Sequence, residues 1–189
     1  MKRTTCAVIL IIICLTSSAT DSIYSLESID LGGIKQTILI TGRDSSRPVL
    51  LFLHGGPAFS EMALMRKYDG DLDAHFIVVN WDQRGTNLSY SPSIPRSSMT
   101  MDQIVSDAHE LITLLKKRFH REKVFLMGHS FGSAIGMILA SRYPQDLYAY
   151  IGVGQVVNMQ ENERLSLQFA MEMAQKENNN EDISELKGI

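Results

Sequence analysis

The 189 residues are 44% hydrophobic and carry 18 basic against 21 acidic side chains, a formal net charge of −3. That composition supplies a real core. With a pI near 5.9 and no long basic run, it gives no electrostatic basis for binding nucleic acid or anionic lipid.

The N-terminus reads as an export signal. Lys2 and Arg3 precede an apolar stretch from residue 7 to residue 15, and Thr16-Ser17-Ser18-Ala19 supplies small residues for cleavage after Ala19. The apolar stretch is roughly half of what a bilayer-spanning helix needs. A secreted or extracytoplasmic chain, free of the membrane after cleavage, is therefore expected. Both cysteines, Cys6 and Cys14, lie inside the signal. The mature chain then has no disulfide, thiol nucleophile or thiolate metal site.

Residues 23–29 and 34–40 read as two strands joined through Asp30-Leu31-Gly32-Gly33, whose glycine pair suits a tight hairpin. Residues 49–53, 76–79 and 124–127 are short unbroken apolar runs. Such runs mark strands buried on both faces of a parallel sheet. Between the last two, Ile104, Ala108, Leu111, Ile112 and Leu115 recur at helical spacing behind a Thr100–Gln103 capping pattern. A second helix follows Ser130 to about Arg142, and residues 147–153 read as another strand. Residues 159–176 form a polar, Met-rich helical stretch, and residues 177–182 a polar break. Alternating strands and helices give an α/β architecture, mainly parallel and led by an antiparallel hairpin.

Two strand ends carry chemistry. Gly128-His129-Ser130-Phe131-Gly132 sits between an apolar strand and a helix rich in small residues. A serine on so sharp a turn is strained, and side chains at positions 128 and 132 would clash. The turn sets Ser130 at a helix N-terminus, where backbone N–H groups stabilise developing negative charge. His129, adjacent on the same turn, points away from the serine hydroxyl and is read as structural or pocket-lining. The other motif, His54-Gly55-Gly56-Pro57, follows the strand at 49–53. A tetrahedral intermediate needs two N–H donors, and Gly56, with Gly55 as the alternate, joins Phe131 as the candidate pair. His54 reads as a brace for this loop. The remaining histidines lack metal-ligand spacing, so no metal is expected.

Trp81-Asp82-Gln83-Arg84-Gly85 follows the strand at 76–80. Together with the other two motifs it closely resembles the proline iminopeptidase branch of the α/β-hydrolase superfamily, over about residues 34–155. The resemblance implies an α/β-hydrolase fold, a serine nucleophile, an oxyanion hole from the Gly56 and Phe131 amides, and no cofactor. It also implies action on the N-terminal residue of short peptides, or on esters and amides among relatives. Ala58 stands where family members commonly have glycine, and Thr86 and Asn87 depart from the usual continuation of the third motif. Asp82 and Arg84 read as a charged pair that locks the adjoining loop. Dehalogenase and epoxide-hydrolase chemistry would place an aspartate at position 130.

In this fold the triad runs Ser, then Asp or Glu, then His. All five histidines precede Ser130, so the triad acid and histidine are not found in this chain. The expected organisation is a signal peptide at 1–19, the first part of the hydrolase core at 20–155, and the beginning of a helical cap at 156–189. On that reading the chain is a fragment, inactive alone, with an uncovered sheet edge. An exported aminopeptidase leads, with a carboxylesterase or lactonase, or a non-catalytic binding protein on the same scaffold, as alternatives.

Overall fold

The N-terminal hairpin forms where the glycine pair predicts it. β1 (Ile23–Leu31) pairs antiparallel with β2 (Ile34–Gly42) in a register that sets Leu31 opposite Ile34. Gly32 and Gly33 make the two-residue turn with φ of 54° and 77°. Positive φ at both central positions matches the right-handed twist of the flanking strands. The computed structural model describes residues 21–68 and 70–188. The expected signal at 1–19 lies outside the described residues.

β3 (Val49–Leu53) and β4 (Ile77–Asp82) are buried at every position, β5 (Val124–His129) alternates, and β6 (Leu147–Val153) is largely exposed. The strands form one sheet in the order β1-β2-β4-β3-β5-β6. β2 meets β4 antiparallel, while β3 runs parallel to both β4 and β5, and β5 parallel to β6. After β3 the chain first moves one way to β4, then crosses back to β5 on the other side. The carboxyl ends of β3, β4 and β5 therefore gather at the point where strand order reverses, which is where open α/β sheets bind ligands.

Two short helices precede β4, α1 (Met62–Tyr68) and α2 (Leu72–His75), and neither has an apolar period in the sequence. α3 (Met101–Arg118) and α4 (Phe131–Arg142) contribute the longer apolar faces. Val105, Leu111, Ile112 and Leu115 of α3 and Ile135 and Leu139 of α4 pack with Ile38, Leu51, Val79 and Trp81. Burying each such aliphatic side chain contributes about 1.5–3 kcal/mol. Thr100 caps α3 by accepting from the Gln103 amide at 3.2 Å. The reciprocal half of the box is not made, because the Gln103 side chain donates to Asp107 instead, at 2.8 Å.

α5 (Met159–Lys176) matches its expected span. The polar break after it is shorter than expected, because α6 (Asn180–Leu186) starts within it. Asn179 accepts from the Asp182 amide at 3.2 Å. An asparagine in a polar run is as good a helix start as a loop residue. Among the described residues no helix is long and apolar enough to cross a membrane.

Candidate active site

Ser130 sits between β5 and α4 with φ 48° and ψ −118°, a conformation that residues other than glycine rarely adopt. The two flanking glycines explain how the turn fits. A Cβ at Gly128 would lie 2.5 Å from the Gly132 carbonyl oxygen, and one at Gly132 would lie 2.1 Å from that of Leu53. Neither obstacle is a side chain that can swing aside, so α4 reaches the sheet only with glycine at both places. The Ser130 backbone is held at both ends. Its N–H donates to the Val153 carbonyl at 2.9 Å, and its own carbonyl accepts from the Ser133 amide at 2.9 Å and the Ser133 hydroxyl at 2.6 Å. Ser133 Oγ in turn accepts from the Val156 amide at 2.8 Å.

The loop after β3 packs directly on this turn. A Cβ at Gly55 would be 3.2 Å from Ser130 Cβ and 3.3 Å from His129 Nδ1. The Gly55 N–H donates to Glu61 Oε2 at 3.2 Å. Among the described residues, the Gly56 and Phe131 amides donate to no protein group. Gly56 has φ 115°, so the loop changes direction at the candidate donor itself.

His54 is 2% exposed. Its Nε2 accepts from the Gln83 amide at 3.1 Å, its Nδ1–H donates to the Gly55 carbonyl at 2.8 Å, and the Gln83 side chain donates to its carbonyl at 3.0 Å. An acceptor role at Nε2 requires neutral imidazole. Burial pushes the His54 pKa below its ordinary value, in the same direction. His54 thus ties the β3 loop to the β4 loop. His129 Nδ1–H donates to Glu61 Oε1 at 2.7 Å.

Asp82 and Arg84 do not pair with each other, which corrects the expectation of a charged pair at the end of β4. Asp82 accepts from the Asn87 side chain at 3.0 Å, the Leu88 amide at 3.1 Å and the Ser60 hydroxyl. Arg84 reaches the other way, to Asp107 on α3. Its Nε donates to Oδ2 at 2.8 Å and its Nη2 to Oδ1 at 3.0 Å. Gln36 adds a third donor to Asp107 at 2.7 Å, and Arg84 also donates to the Gly32 carbonyl at 2.9 Å. The partner of Arg84 is fixed by this fork, whose two parallel bonds suit a buried carboxylate.

Glu61, Asp107 and Ser133 escaped the sequence reading. Asp107 had a signal, since it falls on the α3 face that carries Ile104, Ala108 and Leu111, where an acid needs a buried partner. Ser133 counted only as a small residue. Glu61 lies in an aperiodic loop and had no signal. Among the described residues no three His, Cys, Asp or Glu side chains gather as metal ligands.

A cavity of about 760 Å³ is lined by Tyr24, Leu39, Phe59, Met62, Arg66 and Leu88, among others, and Ser130 is not in its wall. A smaller one of about 270 Å³ is lined by Phe52, Glu61, Met65, His129 and Val153 among others.

Residues 45–182 match the family described as "Serine aminopeptidase, S33". The chain is 38% identical to the probable aminopeptidase YbaC of Bacillus subtilis over 154 residues, covering 82% of this chain and 48% of that protein. It is 32% identical to a proline iminopeptidase of Thermoplasma volcanium, covering 57% of this chain and 35% of that protein. The chain thus spans about half or less of these relatives. Among solved structures, an epoxide hydrolase of Vigna radiata superposes with a TM-score of 0.58 at 28% identity, over 68% of this chain and 38% of that one. A proline iminopeptidase-related protein of Thermus thermophilus gives a TM-score of 0.58 at 22% identity, over 77% and 56%, a likeness of fold alone. With its sheet order, its serine turn and this match, the chain belongs to the serine aminopeptidase S33 family of α/β hydrolases.

Proposed function

We propose that Ser130 is the nucleophile of an exported serine hydrolase that removes N-terminal residues, proline among them, from short peptides. The observation that carries this reading is the strained Ser130 turn at the start of α4, packed against the Gly55–Gly56 loop. Ser130 Oγ attacks the scissile carbonyl, and the tetrahedral oxyanion accepts from the Gly56 and Phe131 amides. A general base receives the serine proton and returns it to the leaving amine, after which water hydrolyses the acyl-enzyme. No histidine of the chain follows Ser130. Both similarity to named aminopeptidases and serine rather than aspartate at position 130 support peptidase over epoxide-hydrolase chemistry.

A fluorophosphonate probe, applied to a form of the protein in which the general base is supplied, tests the nucleophile. Mass spectrometry should find the adduct on Ser130 and none in Ser130→Ala; an equal adduct in the variant overturns the assignment. Proline-naphthylamide and a short acyl ester then separate the substrate classes. Turnover of the ester alone would remove the peptidase half of the proposal.

A further inference from the structure

We infer that Glu61 is a positioning residue that aims the oxyanion loop, a role that rests on the reading of Ser130 as nucleophile. Glu61 is 9% exposed and stands immediately ahead of α1. A carboxylate so placed is costly unless its oxygens are satisfied, and here each has a directed donor. Oε2 accepts from the Gly55 N–H at 3.2 Å and Oε1 from His129 Nδ1–H at 2.7 Å. One partner belongs to the loop after β3, and the other is the residue before the nucleophile. Glu61 is thus a strut joining the two halves of the candidate site.

The consequence is directional. Gly55 and Gly56 carry successive amides in a loop where neither has a side chain to wedge it in place. Holding the Gly55 N–H on Glu61 turns that amide away from the substrate and fixes the His54–Gly55 peptide plane, while the next plane, which carries the Gly56 N–H, is held at its Gly55 carbonyl by His54 Nδ1–H. The Gly56 N–H is then the amide left to meet the oxyanion. Donors aimed in advance cost no reorganisation when charge develops, and removing one such donor typically costs about 10²–10³-fold in rate. Glu61 acts through geometry. A formal negative charge beside an oxyanion is unfavourable in itself, so a neutral side chain of the same shape should serve. Glutamine fits: its carbonyl oxygen accepts from Gly55, and its amide donates to His129 Nδ1 in the other tautomer.

The test measures fluorophosphonate inactivation of a form of the protein in which the general base is supplied, separating the bound-state rate (kinact) from the binding constant (Ki). Glu61→Ala should lower kinact by about 10²-fold with Ki changed by less than about threefold. Glu61→Asp keeps the charge but is one methylene too short to span both partners, and should fall similarly. Glu61→Gln should recover to within about fivefold of the parent. A purely structural residue would show losses that track thermal midpoints, with glutamine no better than aspartate, and that pattern overturns the inference. So does an unchanged kinact in both Ala and Asp, or a loss confined to Ki. If Glu61→Ala fails to fold, the Asp and Gln pair decides between the outcomes. Ser130 labelled in the parent with indifferent Glu61 variants overturns this inference alone, whereas no labelling of Ser130 overturns the nucleophile reading and this inference with it.

Discussion

The Ser130 amide donates to the Val153 carbonyl across 2.9 Å, so the nucleophile's backbone is pinned by the end of β6 as well as by its own turn. The strained dihedrals persist because the contacts around them leave no other arrangement.

That strain should be measurable as stability. Ser130→Ala keeps a Cβ at φ 48° and keeps the strain, whereas Ser130→Gly relieves it. Strain of this kind costs about 1–3 kcal/mol, and glycine's extra freedom in the unfolded chain returns about 0.4–1 kcal/mol. Ser130→Gly should therefore be more stable than Ser130→Ala by about 1–2 kcal/mol in urea unfolding. Equal midpoints would show that the turn is unstrained.

Gly132→Ala tests the close approach of α4 to the sheet. The new methyl would meet the Leu53 carbonyl oxygen at 2.1 Å, where neither backbone can yield locally. A loss of about 3 kcal/mol is expected from overpacking, with loss of fluorophosphonate labelling as the elbow shifts. A variant that unfolds at the parent's denaturant midpoint contradicts the packing described.

The Arg84–Asp107 pair is buried on both sides, with side chains 1% and 0% exposed. Asp107→Ala would leave a guanidinium uncompensated and should cost about 3–5 kcal/mol. Replacing both members together with apolar residues of similar volume should recover much of that loss. A double variant no better than the single one would show that Arg84 is not the source of the penalty.

Glu27 gives a pH signature. Hydrogen bonds from Arg118, with a further one from Ser25, lower its pKa from 4.5 to about 2. The folded state binds this proton less readily than the unfolded chain. Its contribution is therefore complete above about pH 4.5 and is lost as pH falls towards 2. Glu27→Gln should flatten the stability–pH curve in that window and leave its shape above pH 5 unchanged. The same slope in parent and variant would assign the acid sensitivity elsewhere.

How much of this was written in the sequence differs by feature. The span of β3 follows from its unbroken apolar run because the strand is buried at every position, whereas β6 and α5 match their expected spans although both are largely exposed. Both glycine motifs were legible because a sharp turn admits few residues. The partners of Arg84 and His129 were not legible. Each is chosen by which elements the sheet brings together, and Asp107 and Glu61 lie far from them in the chain. α1 and α2 were missed because their short spans bury almost no apolar side chain of their own.

The contact of Gly132, in the first turn of α4 just after β5, with Leu53 at the end of β3 joins segments that follow from two neighbouring parallel strands, separated in the chain by β4 and α3. Parallel pairing of this kind is closed late, after the loop-closure entropy has been met. The elbow consequently has no local route to assembly; it exists only when β3 and β5 are in register. Opening it then demands disruption of the central sheet rather than fraying of a loop. In native-state hydrogen exchange, the Ser130 amide should open with the slowest cooperative unit of the protein, alongside the amides of β3.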